Sequence, residues 1–107
     1  MLPKKNRVDT KSVEKIFKDG KFLNSPNLTF KFIISQRRER KISFIAPKSI
    51  AKIAVERNLL RRCGYAALKK LLSQFPVGFI GVFIFKKYQD KVLILENEIK
   101  NILNKIN

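Results

Sequence analysis

Arg57, Asn58, Arg61 and Arg62 lie close together in the segment KSIAKIAVERNLLRRCGYAALKK, which runs from Lys48 to Lys70. Guanidinium groups at this spacing form forked, charge-assisted hydrogen bonds to phosphate oxygens, and an asparagine amide beside them bonds a phosphate, a ribose or a base edge. Lys48, Lys52 and Lys69 add point charges to the same stretch. Asn58 and Tyr65 read equally well as contact residues or as solvated side chains. The chemistry on offer is therefore the binding of a polyanion. The whole chain agrees: 24 Lys and Arg stand against 8 Asp and Glu, a net charge of +16 with pI near 10.4. That is more charge than solubility requires, and it costs stability through self-repulsion. Nucleic acid is the leading partner; an anionic membrane surface and an idle charged face are the alternatives.

A helix from Val55 to about Gln74 would position these groups. At about 100° per residue, Val55, Leu59, Leu60, Cys63, Ala66, Ala67 and Leu71 share one broad apolar face. Arg57, Asn58, Arg61, Arg62, Tyr65 and Lys69 occupy the other, so one side can enter a core while a basic strip faces a partner. Leu68 and Leu72 fall on the polar half. Before this helix, Pro47 closes a strand over Lys41–Ala46, and residues 48–53 form a connection.

The remaining elements follow from periodicity and punctuation. Met1–Val8 reads as a basic arm carrying Lys4, Lys5 and Arg7. Asp9, Thr10 and Ser12 are N-cap candidates for a short helix ending near Lys18, with Val13, Ile16 and Phe17 as its apolar stripe and Gly20 as its stop. Phe17 reads as a core anchor or as an aromatic edge on which an unpaired base stacks. Asn24-Ser25-Pro26-Asn27 is a turn. Leu28–Ser35 alternates as a strand, with Leu28, Phe30, Phe32 and Ile34 inward and Thr29, Lys31, Ile33 and Ser35 opposite. Gln36–Arg40 is a polar connection, and Arg37, Arg38 and Arg40 fit a solvated loop with or without nucleic acid nearby. Phe79–Phe85 is a buried strand whose Phe83 and Phe85 are packing residues. Glu96–Ile106 is helical, while Val92–Leu95 fits a short strand or the start of that helix. The order is helix, strand, strand, helix, strand, helix, and an additional short strand at Lys21–Leu23 would make it helix, three strands, helix, strand, helix. The expectation is a single domain spanning residues 1–107 of its modest length.

Several functions are disfavoured. Cys63 is the lone cysteine and histidine is absent, so the chain has no internal disulfide, Cys/His zinc site or histidine-centred acid–base machinery. Cys63 reads as a small core residue. No Gly-rich phosphate loop is present, and Glu39, Glu56, Asp90, Glu96 and Glu98 show no spacing that selects a catalytic pair. Asp9, Glu14 and Asp19 read as helix-end or surface residues. Met1–Lys18 does not resemble a signal peptide, and Val77–Phe85 is too short to span a bilayer as a helix, which points to a soluble, cytoplasmic protein.

The segment PKSIAKIAVERNLLRRCGYAALKK resembles the signature of the bacterial ribonuclease P protein subunit. The matching features are Pro47-Lys48, Ala54-Val55, Arg57-Asn58 and Arg61-Arg62, set among a basic arm, a helix ending in Phe17 before Gly20, and flanking strands that extend the likeness over nearly the whole chain. The resemblance implies a compact α-β-β-β-α-β-α sandwich of the α+β class with a left-handed crossover, as in ribonuclease P protein and ribosomal protein S5 domain 2-like folds. It implies a subunit of the ribonuclease P endoribonuclease that binds a catalytic RNA and the 5′ leader of precursor tRNA, one protein per RNA. The RNA would carry the chemistry with Mg2+, and the protein would hold no organic cofactor, no metal and no membrane. On this resemblance Arg57, Asn58, Arg61 and Arg62 lie on the helix that faces the catalytic RNA, Lys48 and Lys52 lie on the approaching loop, and Val13, Phe17, Thr29 and Lys31 border the leader cleft; Tyr65 and Lys69 join the RNA-binding set from their place on the same polar face of the helix. The chain departs from the family pattern at Ser49, Leu59 and Cys63-Gly64-Tyr65; a glycine inside a helix costs roughly 1 kcal/mol relative to alanine. A general RNA-binding or ribosome-associated structural protein and a stand-alone metal-dependent nuclease are the alternative functions.

Overall fold

The structure, a computed structural model, describes Val8, residues 10–36 and residues 38–106. The arm before Val8, the proposed cap Asp9 and the loop residue Arg37 lie outside the described residues. In chain order the elements are α1 (Thr10–Asp19), β1 (Lys21–Asn24), β2 (Leu28–Ile34), β3 (Lys41–Ile45), α2 (Ala54–Lys69), a 3-10 turn at Leu72–Gln74, β4 (Phe79–Phe85) and α3 (Val92–Ile106). Val92–Leu95 is thus the first turn of α3. The long helix expected to reach Gln74 stops at Lys69, and the 3-10 turn carries the chain on to Pro76.

The four strands form one mixed sheet in the order β1-β2-β4-β3. β2 pairs antiparallel with β1 and β4, whereas β3 and β4 are parallel neighbours joined by the crossover through α2. Alternation along β2 sends Leu28, Phe30 and Phe32 into the core and leaves Thr29, Lys31 and Ile33 partly exposed on the other face. Ile34, expected with the inward set, ends its strand and is 63% exposed.

The inward face is built from phenylalanine. Phe83 stacks on Phe30 at 4.4 Å and on Phe44 at 5.1 Å between ring centroids. Leu60, Ala67 and Leu68 from α2, Leu71 just beyond it, and Leu95, Ile99, Ile102 and Leu103 from α3 cover these rings. Gly81 permits the packing, since a Cβ there would sit 2.5 Å from the Phe30 ring. The opposite face receives α1, whose Ile16 is buried in a small cluster with Ile80 and Val82, and Val8 packs against the same cluster. The layers are therefore α2 and α3, then the sheet, then α1.

The single buried acid among the described residues, Glu98 on α3, is explained by the β1–β2 turn. Its Oε1 accepts hydrogen bonds from Ser25 Oγ at 2.5 Å and Asn27 N–H at 2.7 Å, and its Oε2 accepts from Asn27 Nδ2 at 2.6 Å. A carboxylate taken out of water is tolerated because charge-assisted donors surround it.

Candidate nucleic-acid interface

The buried stripe of α2 is Leu60, Gly64, Ala67 and Leu68, continued by Leu71 just beyond the helix. This is rotated from the sequence expectation. Val55 is 71% exposed, Leu59 is 37% exposed, and Ala66 also faces out. The rotation has a local cause. Gly64 lies directly against Phe44 of β3, where a Cβ would fall 2.5 Å from the ring, so the helix approaches the sheet along its glycine. What reads in the sequence as a helix-weakening departure is the contact that sets the helix's rotation.

The same rotation corrects the placement of Tyr65. Its side chain is 5% exposed, its ring meets Phe44 edge-on at 5.2 Å, and its hydroxyl accepts a hydrogen bond from Phe44 N–H at 3.2 Å. β3 is an edge strand, so this hydroxyl satisfies a backbone donor that the sheet leaves over. Tyr65 is thus a packing residue, unavailable to a partner on the outer face. Cys63 is partly exposed, and burial, followed by the nearby Asp90 carboxylate, raises its thiol pKa while Arg62 opposes them.

On the outward side, Asn58, Arg62 and Lys69 are exposed and Arg61 is partly so; a guanidinium N–H of Arg61 donates to Asn58 Oδ1. Arg57 plays a different part. Its Nη1 donates to the carbonyls of Ala51 at 3.0 Å and Lys52 at 2.9 Å, fastening the loop before α2 to the first turn of the helix. Ile50 and Ala51 both donate to the Pro47 carbonyl within that loop, and Ala51 is buried, so the connection is anchored while Lys48 and Lys52 are held out.

A second surface lies on the other side of the sheet. Phe17 on α1 is 45% exposed, and Lys31 Nζ stands 4.9 Å from its ring centroid, within cation–π range. Thr29 Oγ1 donates to Asn24 Oδ1 at 2.8 Å. Val13 is half-buried against the Ile16 cluster and forms the base of this flank of α1. Val13, Phe17, Thr29 and Lys31 therefore border one partly open sheet face. Sequence reasoning missed Phe22, which pairs directly across from Lys31 and is 61% exposed. Its signal was available: an aromatic alternating with Lys21 and Leu23 in a short strand must point away from the core once Leu23 points in.

Among the described residues, no group of three or more His, Cys, Asp or Glu side chains is placed to hold a metal ion, and no helix is long and apolar enough to cross a membrane. Of the acids, Glu98 is occupied by the turn, Glu39 pairs with Lys41 at 3.3 Å and Glu96 with Lys100 at 3.7 Å.

The geometry is a basic helix face and an aromatic, lysine-bearing sheet face on opposite layers. The family model for Ribonuclease P matches residues 2–107. The chain belongs to the Ribonuclease P family. Its fold is similar to that of the RNase P protein from Thermotoga maritima, with TM-score 0.82 at 20% identity over 94% of this chain and 97% of that one. The Staphylococcus aureus RNase P protein is likewise similar, with TM-score 0.80 at 15% identity over 95% of both chains. Comparison with curated protein sequences finds no match. At such identities the shared feature is the α+β sandwich: a mixed sheet with flanking helices, which is the family's architecture. Membership makes the chain a ribonuclease P protein component.

Proposed function

We propose that this chain is the protein subunit of ribonuclease P, binding the catalytic RNA through α2 and its preceding loop and the 5′ leader of precursor tRNA through the open sheet face. The observation that carries this reading is the separation of two nucleic-acid-compatible surfaces by a single sheet, in a chain whose family is ribonuclease P. One rigid layer between them lets the protein hold substrate and catalytic RNA in fixed relation.

Arg61, Arg62, Asn58, Lys69, Lys48 and Lys52 supply the RNA contacts on the helix side, and Arg57 both contributes charge and holds the Lys48–Lys52 loop in place. On the sheet side, Val13 and Phe17 form one wall and Thr29 and Lys31 the floor, with Phe22 as an added stacking surface. Phe17 and Phe22 offer faces to unpaired bases, and Lys31 meets the backbone between them. The protein's contribution is to offset phosphate repulsion and retain substrate. Mg2+ ions bound by the RNA would supply the activated water for phosphodiester hydrolysis. The setting is the cytoplasm, with one protein per catalytic RNA.

The test is reconstitution of precursor-tRNA cleavage with and without the catalytic RNA, using Arg61→Ala and Arg62→Ala across ionic strength. Each arginine lost should weaken catalytic-RNA binding about tenfold at low salt. The log–log salt slope should flatten by roughly 0.7–0.9 per contact. Unchanged affinity and turnover at every salt would sink the site. Cleavage by the protein alone would instead identify a stand-alone nuclease, and RNA binding without stimulation a structural RNA-binding protein.

A further inference from the structure

α1 is a ridge with two different flanks. With Ile16 packed down onto Ile80 and Val82, a turn of about 100° per residue puts Val13 and Phe17 on one side and Ser12, Lys15 and Asp19 on the other, with Lys11 above them. The Phe17 side borders the cleft described above. The other side walls a separate groove of about 860 Å³, whose lining includes Lys11, Lys15, Lys21, Lys41, Ile33 and Ile34. The groove reaches the edge of β2 where β1 no longer covers it, since pairing between the two strands begins at Lys21 and Phe32.

Two features of this groove point to one ligand chemistry. Lys11 and Lys15 of α1 and Lys21, which begins β1 at the edge of the sheet, all line it and are exposed, while Lys41 is paired with Glu39 at 3.3 Å. Ile33 and the 63% exposed Ile34 supply an apolar surface beside those charges. Ammonium groups next to an exposed apolar surface suit an unpaired polynucleotide, whose phosphates take the charges and whose bases take the apolar surface. Asp19 and Glu39 also line the groove, so its excess charge rests on Lys11, Lys15 and Lys21. A helix is about 10 Å across with its side chains. A single strand lying in the Phe17 cleft therefore reaches this groove by crossing only the width of α1.

Resting on the function proposed above, we infer that this groove binds the distal part of a single-stranded 5′ leader, as a second subsite beyond the cleft at Phe17 and Lys31. The subsite makes substrate affinity depend on leader length through lysines that touch neither the near cleft nor α2.

The test uses the reconstituted holoenzyme and two precursor tRNAs, one with a leader just long enough to fill the near cleft and one extended by an unpaired tract. The triple variant Lys11→Gln, Lys15→Gln, Lys21→Gln should bind the short-leader substrate as the wild type does and lose the preference for the extended one. Three single-strand phosphate contacts correspond to a salt slope of about 2, or roughly a 20-fold change in affinity for a fourfold change in salt. The wild type should show that extra slope with the extended leader only. No length preference in the wild type, or one that the variant retains, overturns the inference, as does equal weakening of catalytic-RNA binding. If the wild type fails to stimulate cleavage of even the short-leader substrate, the ribonuclease P function itself fails.

Discussion

Replacing Glu98 by alanine should loosen the fold at a known place by a calculable amount. The carboxylate accepts three hydrogen bonds of 2.5–2.7 Å, from Ser25 Oγ, Asn27 N–H and Asn27 Nδ2, and is 5% exposed. A hydrogen bond to a charged group contributes about 1.5–3 kcal/mol, which would sum to well over 4 kcal/mol if the bonds were independent. They share one carboxylate, and Ser25 and Asn27 are partly exposed, so water recovers some of the loss. The expected cost of Glu98→Ala is therefore about 2–4 kcal/mol, a large part of the roughly 5–15 kcal/mol typical of a small domain. Urea unfolding followed by circular dichroism should show the midpoint falling by roughly 1–3 M with the slope unchanged. Glu98→Gln, which keeps the shape but turns an amide N–H toward the Asn27 donor, should fall between the two. The damage should also reach function. The turn holds β1, and β1 holds Phe22 beside Lys31, so leader affinity should drop while catalytic-RNA binding by α2 persists. A midpoint for Glu98→Ala within about 0.3 M of wild type would refute the reasoning.

Two further outcomes follow from the seating of α2. Gly64→Ala improves helix propensity by about 1 kcal/mol yet places a Cβ 2.5 Å from the Phe44 ring; with overpacking typically costing about 1–3 kcal/mol, the melting temperature should fall, and a rise would show that the helix can shift outward freely. Tyr65→Phe removes the acceptor for Phe44 N–H and should cost about 1–2 kcal/mol in denaturant unfolding while leaving RNA affinity at matched salt unchanged; a loss of affinity without a loss of stability would return Tyr65 to the interface.

Much of this architecture was legible in the sequence because it depends on local pattern. Alternation in Leu28–Phe32 separated core from open face, the glycine after Asp19 marked the end of α1, and the apolar run Phe79–Phe85 announced the strand buried at the sheet's centre. The basic cluster of α2 was equally plain, since charge and spacing are properties of the chain itself. What the sequence by itself determined was most of the elements, the sign of the partner's charge, and the residues that carry the family likeness.

The rotation of α2 was not among them. A helix with apolar residues nearly all round has several faces of similar hydrophobicity, and the choice among them belongs to the surface it meets: here the Phe44 ring selects Gly64, buries Tyr65 and turns Val55 and Leu59 outward. Tertiary contact likewise decided that Arg57 fastens a loop, that Glu98 serves a turn far away in the chain, and that a groove lined by Lys11, Lys15 and Lys21 opens beside α1. Each of these depends on which groups are brought together across the fold. Periodicity, which reports only a residue's neighbours along the chain, carries no record of them.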